Sequence, residues 1–346
     1  MFAKDKEDGA LLTWPSKWRD LTLAEIDAAL PSHEPRRHLY DLIRAHLSRS
    51  GKGIRPALCI ATAKAFGGDE RNAIPSAAAL EMLHNAFLVH DDIEDGSEMR
   101  RSQPTMVAQH GVPLAVNTGD AMNAMSMRLL RRNLPLLGPQ TSLRIYEEID
   151  ALLVDTLEGQ AMELGWVHDN ALDVTAADYL RMTLKKTCLY SFIHPMRIGA
   201  LVADGERDDL DRFDCLGFFI GAAFQIQDDV LNLTGDHRYG KEIGGDLMEG
   251  KRSLILAHLF ERVSGQERVR LRDFFARPRE RRLPREIGWI YELLHRHGSI
   301  EYARQASRDL AAAATEAFDE AFSGASDEGA VQFIRLIIGY AVEREA

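Results

Sequence analysis

The 346-residue sequence is poor in cysteine and in long apolar runs, and each shortage excludes a class of protein. Its three cysteines, Cys59, Cys188 and Cys215, lack the spacing of a metal or redox site, so we expect buried thiols in a reducing compartment. The longest apolar run, near 216–226, is far shorter than the roughly 20 residues that span a bilayer. The N-terminus has no signal-peptide core. We therefore expect a cytoplasmic protein without a transmembrane segment.

Positive charge is also in short supply. Lysine and arginine number 42 against 53 acidic residues, a formal net charge of −11. Nucleic acids and anionic membrane surfaces require a basic face, so neither is expected as the main partner. Any anionic ligand must instead be held by a local group of cations.

Helical periodicity dominates what remains. Apolar residues recur at intervals of three and four, as at Leu39, Leu42, Ile43 and Leu47, and no segment alternates as a strand would. No linker rich in Pro, Gly or Ser divides the chain, so we expect one all-α domain over 1–346, a bundle of helices. A turn before Pro75 should lead into a long helix over about 76–95.

That helix carries the first acidic cluster, in LHNAFLVHDDIEDGSEMRR. Asp91 and Asp95 are four residues apart, which places both carboxylates on one helix face about 6 Å apart. Like charges in this position repel unless a cation lies between them, and hard oxygen ligands favour Mg²⁺. Asp92 lies about 100° around the helix, at the flank. His84 and Phe87 share the face of Asp91 and should line a pocket that leads to it. A charged helix end on the surface is the alternative, although the helix dipole disfavours acids there.

A second apolar helix, in FFIGAAFQIQDDVLNLTGD, ends in a similar cluster of Asp228, Asp229 and Asn232. Because Asn carries no charge, this cluster should hold a metal more weakly, or through water. Two such clusters predict a pair of acidic segments that face each other across a set of cations.

The candidate cations are spread along the chain. Arginine suits bidentate phosphate binding, and lysine acts as a point charge. Taken singly, each is an ordinary surface residue, so the argument depends on the set: Lys52, Arg55, Arg100, Arg101, Lys185, Lys186, Lys241 and Lys251.

The ordered motifs GKGIRP, HDDIEDGSEMRR, NTGDAM, KKT, FQIQDD and GKEIGGD with a following GK resemble those of the trans-isoprenyl diphosphate synthases. This family, the polyprenyl synthetases, is matched over about 50–253, with C-terminal helices over 254–346, and the geranylgeranyl diphosphate synthases are most similar. The resemblance implies antiparallel helices around a deep central cavity, a homodimer, and Mg²⁺, three ions per active site with substrate bound. It also implies two substrates: isopentenyl diphosphate and an allylic diphosphate, which is dimethylallyl, geranyl or farnesyl diphosphate.

The resemblance also implies roles for the residues at matching positions. The metal would be held by Asp91, Asp95 and Asp228, assisted by Asp92, Asp229 and Asn232. The allylic diphosphate would be held by Arg100, Lys186 and Lys241. Isopentenyl diphosphate would be held by Lys52, Arg55, His84 and Arg101. Thr187 and Gln225 would lie near the developing carbocation, and Lys251 would shield the closed site. The sequence departs from the family at Gly53, often a basic residue, and at Asn232, often Asp.

Product length should depend on what blocks the apolar tunnel below Asp91. In the family, bulk one turn before this aspartate favours short products, and Phe87 beside the small Ala86 gives a mixed signal. We expect a C20 product, geranylgeranyl diphosphate, with Leu83, Met122 and Ser126 as further candidates for the tunnel floor. A C15 product or a longer polyprenyl product is the alternative.

Other functions on the same fold remain open at this point. A class I terpene cyclase ionises an allylic diphosphate but needs no isopentenyl site, which Lys52, Arg55 and His84 would provide. A non-catalytic partner subunit tends to lose its aspartates, and this chain keeps five of the six. A metal phosphohydrolase of the HD type would use His90 and Asp91 but leaves the second cluster unexplained.

Overall fold

The computed structural model describes residues 8–49, 51, 53–235 and 244–342, and these are almost entirely helical. The all-α prediction is confirmed. Lys52 and Lys241 lie outside the described residues. The described chain divides into two compact units, each described here by itself. The first unit lies within Met1–Ala151, Ser191–Phe213 and Glu320–Ile337, and the second within Leu152–Tyr190, Asp214–Asp319 and Ile338–Ala346. The single domain around a deep cavity stays a prediction.

The first unit is built around two neighbouring helices, α4 (Glu70–Glu94) and α6 (Val112–Leu130), and α3 (Ile54–Ala65) packs between α4 and α9 (His194–Ala203). Its elements are α1 (Asp8–Ala29), a π-helical turn (Arg36–Tyr40), α2 (Asp41–Ser48), α3 (Ile54–Ala65), α4 (Glu70–Glu94), β1 (Met99–Arg100), β2 (Gln103–Pro104), α5 (Met106–His110), α6 (Val112–Leu130), a 3₁₀ turn (Arg131–Asn133), α7 (Leu134–His168) as far as Ala151, α9 (His194–Ala203), a second 3₁₀ turn (Leu210–Phe213) and the first part of α16 (Glu328–Val342). Helices α3 and α9 can approach closely because Gly199 has no Cβ. A Cβ at this position would collide with the carbonyl oxygen of Cys59.

Helix α4 begins earlier than its sequence predicts. The carboxylate of Asp69 caps it by accepting a hydrogen bond from the Arg71 N–H at 2.9 Å, so the helix runs from Glu70 and contains Pro75. The proline lies in the second turn, and the carbonyl group whose helical partner it removes belongs to the exposed Arg71, where water can bind it. The predicted start near residue 76 is therefore wrong by about two turns.

A short antiparallel hairpin, β1 and β2, follows α4, although no strand is expected from the sequence. Its two turn residues, Arg101 and Ser102, have φ of 53° and 59°. Left-handed values at both central positions define a type I′ turn, which usually contains Asn-Gly. The two residues directly after Arg100 therefore hold a strained, left-handed backbone conformation.

The second unit has its own apolar core, formed by residues such as Ile226, Leu256, Phe260 and Leu294. Its elements are α7 from Leu152, α8 (Ala176–Thr183), a π-helix (Leu184–Ile193) as far as Tyr190, α10 (Asp214–Thr234), α11 (Gly245–Glu249), α12 (Leu254–Arg262), α13 (Gly265–Phe275), a 3₁₀ turn (Arg279–Arg281), α14 (Pro284–Arg296), α15 (Ser299–Ala321) as far as Asp319, and α16 from Ile338.

Two further findings bear on the sequence expectations. Cys59 and Cys188 are buried, but Cys215 is exposed, so the prediction of three buried thiols is wrong for Cys215, which lies at the start of α10. Among the described helices, none is both long enough and apolar enough to cross a membrane. The cytoplasmic location stays a prediction.

Candidate active site

The first acidic cluster ends α4. The N–H of Asp95 donates to the carbonyl oxygen of Asp91 at 2.9 Å, which places the two residues one helical turn apart. Asp92 is only 1% exposed, while Asp91 keeps part of its side chain accessible. Carboxylates at the C-terminus of a helix face the negative end of its dipole, so they require positive partners.

Arg100 of the hairpin is such a partner. Its Nε donates to Oδ1 of Asp92 at 2.7 Å, and its Nη2 donates to Oδ2 of Asp91 at 3.1 Å. Burial opposes the charge of Arg100, but the two carboxylates outweigh burial and raise the pKa of the guanidinium. One arginine therefore bridges the two adjacent aspartates through charge-assisted hydrogen bonds.

A second group of cations lies in the first unit. Arg55 donates from Nη2 to Oγ of Ser191 at 2.7 Å. The guanidinium of Arg101 lies over Gly51, where an added Cβ would be 2.5 Å from Nη2. Gly53 caps the start of α3 with a left-handed φ of 63°, a conformation that a basic residue would adopt only with strain. The glycines of the GKGIRP motif thus make room for an arginine and for a tight turn.

Helix α4 adds two titratable groups, Glu81 and His84, to these cations. Burial raises the pKa of Glu81, and the positive charges of Arg55 and Arg101 work against that rise. Its Oε1 accepts a hydrogen bond from Nδ2 of Asn85 at 3.1 Å. Burial, followed by the same two arginines, lowers the pKa of His84, so its imidazole is neutral at pH 7. Glu81 is missing from the sequence-based set, although its place three residues before His84 is a signal for it.

The side chain of His90 points toward α6. A Cβ at Gly119 would fall on the His90 ring, and Nε2 of His90 lies 3.4 Å from Oδ1 of Asp120. Gly119 and Asp120 belong to the NTGDAM motif, so this motif serves the close contact between α4 and α6. The geometry offers no support for an HD-type pair.

The predicted chain-length residues lie on the two packed helices α4 and α6. Leu83, Ala86, Met122 and Ser126 are all buried, and Phe87 is half-buried. The Ser126 hydroxyl donates to the carbonyl oxygen of Asn123 at 2.6 Å, so its polar atom is satisfied within its own helix. These side chains form part of the interior of the first unit.

The second acidic cluster, on α10 in the second unit, has neutral partners. Oδ2 of Asp229 accepts a hydrogen bond from the Tyr179 hydroxyl at 2.7 Å, and Oδ1 accepts one from Nε2 of Gln225 at 2.9 Å. Burial raises the pKa of Asp229 to about 7. The two hydrogen bonds lower this pKa in part, and the negative charge of Asp228 raises it further. Tyr179 is absent from the sequence-based set because it lies on α8, far from Asp229 along the chain.

The hydrogen bonds continue from Gln225 to the KKT motif. Oε1 of Gln225 accepts from the Thr187 hydroxyl at 3.0 Å, so a chain of four side chains links Tyr179, Asp229, Gln225 and Thr187. Thr187 lies in the π-helix, a conformation that is frequent at functional sites. A Cβ at Gly221 of α10 would be 2.7 Å from Cys188, so this glycine permits the close approach of the two helices.

Three predicted cations among the described residues of the second unit are paired with acids. Lys186 forms an ion pair with Glu163, and Lys185 forms ion pairs with Asp155 and Glu158. Lys251 lies 3.0 Å from Glu249, which is also 2.8 Å from Arg279. Glu163 and Glu249 are further residues that sequence reasoning missed.

Asn232 is tied to the backbone that follows α10. It is buried, its Oδ1 accepts from the Asp246 N–H at 3.1 Å, and its carbonyl oxygen accepts from the Gly244 N–H at 2.7 Å. This side chain anchors the start of α11. Its predicted part in metal binding stays a prediction.

Both clusters offer the hard oxygen donors that Mg²⁺ prefers. Within residues 8–49, 51, 53–235 and 244–342, no three His, Cys, Asp or Glu side chains are grouped so that they alone could hold a metal ion. Mg²⁺ is usually bound through one or two carboxylates together with water and substrate phosphates. Each cluster therefore fits a metal whose shell the substrate completes.

Comparison with known proteins gives the family. Residues 36–296 match the model of the family described as polyprenyl synthetase. The chain belongs to this family. It is therefore an enzyme, a prenyltransferase, as its sequence predicts.

Individual relatives agree over most of their length. The chain is 32% identical over 312 residues to the short chain isoprenyl diphosphate synthase of Methanothermobacter thermautotrophicus, covering 88% of this chain and 90% of that protein. It is 32% identical over 286 residues to the geranylgeranyl pyrophosphate synthase of Geoglobus acetivorans, covering 82% and 85%. The crystal structure of geranylgeranyl pyrophosphate synthetase from Pyrococcus horikoshii matches with a TM-score of 0.85 at 30% identity, covering 99% of this chain and 100% of that chain.

Proposed function

We propose that this prenyltransferase condenses isopentenyl diphosphate with an allylic diphosphate primer and makes geranylgeranyl diphosphate, a C20 product. The reaction would proceed by ionisation of the allylic diphosphate, attack by the isopentenyl double bond and loss of a proton. The observation that carries the proposal is the pair of cations Arg55 and Arg101, together with the neutral imidazole of His84, in the unit that also holds the acidic end of α4. A second diphosphate needs its own site, which this group would provide. The names of the relatives from G. acetivorans and P. horikoshii support the C20 product.

Metal ions would be held by the carboxylates of Asp91, Asp95 and Asp228, with Asp92, Asp229 and Asn232 assisting. When bound, Mg²⁺ would neutralise the negative charge that grows on the departing diphosphate. The bridge from Arg100 holds the carboxylates of Asp91 and Asp92 in place at the end of α4.

The two diphosphates would be bound by different cations. Lys52, Arg55, His84 and Arg101 would hold isopentenyl diphosphate, and Arg100, Lys186 and Lys241 would hold the allylic diphosphate. His84 would act as a neutral donor of one N–H, since burial and the nearby arginines disfavour its charged form. Lys186 would exchange its pairing with Glu163 for a phosphate oxygen, and Lys251 would shield the closed site.

Thr187 and Gln225 would stabilise the developing carbocation. Because Thr187 donates its one hydroxyl proton to Gln225, its oxygen is left with lone pairs, which attract positive charge. Water must be excluded from this step, since it would convert the cation to an alcohol. The proton lost at the end would go to the released diphosphate.

Chain growth would end when the product meets the apolar side chains below Asp91. Phe87 is the bulky residue one turn before this aspartate, and Leu83, Ala86, Met122 and Ser126 are buried on α4 and α6. Replacement of Phe87 by Ala is expected to lengthen the product. An unchanged product length would show that Phe87 is an ordinary core residue.

A homodimer is part of the proposal. Helix α7 carries large apolar side chains that are about half exposed: Leu143, Tyr146, Val154 and Leu157. Leu143 and Tyr146, in the first unit, lie three residues apart, as do Val154 and Leu157 in the second, and neighbouring exposed apolar side chains of this kind support an interface between proteins. Sedimentation or light scattering would give the oligomeric state directly.

The test of the function is a set of incubations of the purified chain with Mg²⁺ and isopentenyl diphosphate. Each allylic primer, dimethylallyl, geranyl and farnesyl diphosphate, is added in turn, and product length is read by mass spectrometry. A C20 diphosphate is expected. No product with any primer would contradict elongation, and hydrocarbon released without isopentenyl diphosphate would indicate a cyclase.

A further inference from the structure

The inner face of α2 carries a histidine that neither the family motifs nor the proposed mechanism uses. His46 lies in the last turn of α2, six residues before Lys52, and is 6% exposed. Neither ring nitrogen, Nδ1 nor Nε2, has a hydrogen-bond partner among the described residues. A neutral imidazole always carries one N–H donor and one acceptor, so burying both without a partner is unfavourable.

Two other buried histidines of the described chain have polar partners. In the second unit, Nδ1 of His258 lies 3.0 Å from the Ser299 hydroxyl, and its ring stacks on Tyr302. In the first unit, Nδ1 of His194 lies 2.6 Å from a carboxylate oxygen of Glu148. A buried histidine with a structural role therefore has a polar partner here, and His46 departs from that pattern.

The surroundings of His46 are cationic. Arg49, Arg101 and Arg100 act on its ring electrostatically, and His46 in turn acts on His84. Burial, and after it these arginines, lower the pKa of His46 to about 3. The ring is therefore neutral at pH 7. A polar group that is set among positive charges and lacks a partner suits an anion that the same charges attract.

We propose that His46 is a further binding residue for isopentenyl diphosphate and donates a ring N–H to one of its phosphate oxygens. The inference rests on the proposed function, which gives Arg55, Arg101 and His84 to the same diphosphate. Arg49 is less suited to this role because it is already engaged, donating to the carbonyl oxygen of Pro104 at 2.6 Å and to Oε1 of Gln109 at 2.8 Å.

The test compares His46→Leu, which removes both ring nitrogens at similar volume, with His46→Gln, which restores an N–H donor. His258→Gln is the matched control, a buried histidine that is outside the proposed site. Steady-state kinetics are measured with each substrate varied in turn, and thermal unfolding is measured without substrate.

In His46→Leu, the KM for isopentenyl diphosphate should rise about tenfold or more, as expected for a lost hydrogen bond to a charged group. The KM for the allylic substrate should stay within about twofold. His46→Gln should recover most of the affinity. The Tm of His46→Leu without substrate should equal or exceed that of the unchanged protein, because two unpartnered polar atoms are removed.

An isopentenyl KM that stays within about twofold in His46→Leu would overturn the inference, as would equal increases for both substrates. If the unchanged protein does not elongate any primer, the proposed function fails. Calorimetric titration with isopentenyl diphosphate then decides the role of His46 by itself: weaker binding by His46→Leu supports it, and equal binding, or none by the unchanged protein, overturns it.

Discussion

The two acidic clusters have the same sequence pattern and contrasting surroundings. In the first unit, Asp91 and Asp92 are bridged by the guanidinium of Arg100. In the second unit, Asp229 is held by two neutral donors, Tyr179 and Gln225, and burial raises its pKa to about 7. A positive partner stabilises the ionised carboxylate, whereas neutral donors offset only part of the cost of burying it.

The neighbours of each cluster, and not the motif itself, account for this difference. The helix places Asp95 one turn after Asp91 and Asn232 one turn after Asp228, but neighbours from other elements decide which oxygens remain for a ligand. Both oxygens of Asp229 already accept hydrogen bonds, and Oδ1 of Asn232 accepts one from the backbone of Asp246. The first cluster is therefore the stronger candidate for a clamp on a metal, and the second should depend more on substrate phosphate.

Equal tolerance of substitution in the two clusters would contradict the assignment of the first cluster as the stronger metal site. Asp91→Ala should lower kcat by roughly 10³-fold or more, about 4 kcal/mol of transition-state stabilisation, because it removes a proposed metal ligand. Asn232→Asp should keep activity within about threefold, since an aspartate oxygen can still accept from the Asp246 N–H. Product formation under saturating Mg²⁺ measures both. The opposite result would exchange the strong and weak sites.

The burial of His46, together with the nearby arginines, should also appear in the pH dependence of stability. The pKa of His46 is about 3 in the folded chain and 6.5 when unfolded, so the unfolded chain binds a proton first as the pH falls. The contribution of His46 to stability is therefore intact above about pH 6.5 and declines below it, by about 2 kcal/mol at pH 5.

Urea unfolding of the unchanged protein and His46→Leu at pH 7.5 and pH 5 checks this. The variant should lose less stability between the two pH values. The matched control is His168→Leu, which removes an exposed imidazole. Equal losses in the unchanged protein and His46→Leu would mean that His46 takes up a proton in the folded chain as readily as when unfolded.

Loss of a neutral donor should weaken the second cluster moderately. Tyr179→Phe removes the hydroxyl that fixes Asp229, and kcat should fall about tenfold, or about 1.4 kcal/mol. Tyr302→Phe, at a half-exposed tyrosine of α15, is the control and should leave kcat unchanged. A normal kcat in Tyr179→Phe would show that Gln225 alone positions Asp229.

The smallest expected effect concerns the hairpin that carries Arg100 and Arg101. Ser102→Gly should raise the free energy of unfolding by about 0.5 to 1 kcal/mol, because glycine adopts the left-handed φ of 59° without strain. Ser102→Ala keeps the Cβ and should give no gain. Chemical denaturation separates the two. A gain in both variants would point to the hydroxyl and not to backbone strain.

Several features of the site follow from local spacing and so are visible in the sequence. Asp91 and Asp95 share a face because four residues make about one helical turn. The apolar periodicity similarly predicts the all-α fold. The start of α4 and the hairpin after it are not predicted in this way. A proline in the second turn of a helix and a type I′ turn without glycine are both exceptions to residue preferences.

Other parts of the site required the fold. Tyr179 and Glu163 are remote in sequence from the residues that they bind, and no spacing rule connects them to Asp229 and Lys186. The unusual environment of His46 likewise depends on the hairpin that brings Arg100 and Arg101 near α2.

The helical class and the positions of the acidic residues along α4 and α10 can be read from the sequence, because they depend on local periodicity, and the family motifs are residue identities. The fold sets which aspartate is bridged by an arginine, which accepts from neutral donors, and which histidine is buried with no hydrogen-bond partner among the described residues. Charge state and hydrogen bonding are properties of neighbours in space, and those neighbours come from distant parts of the chain.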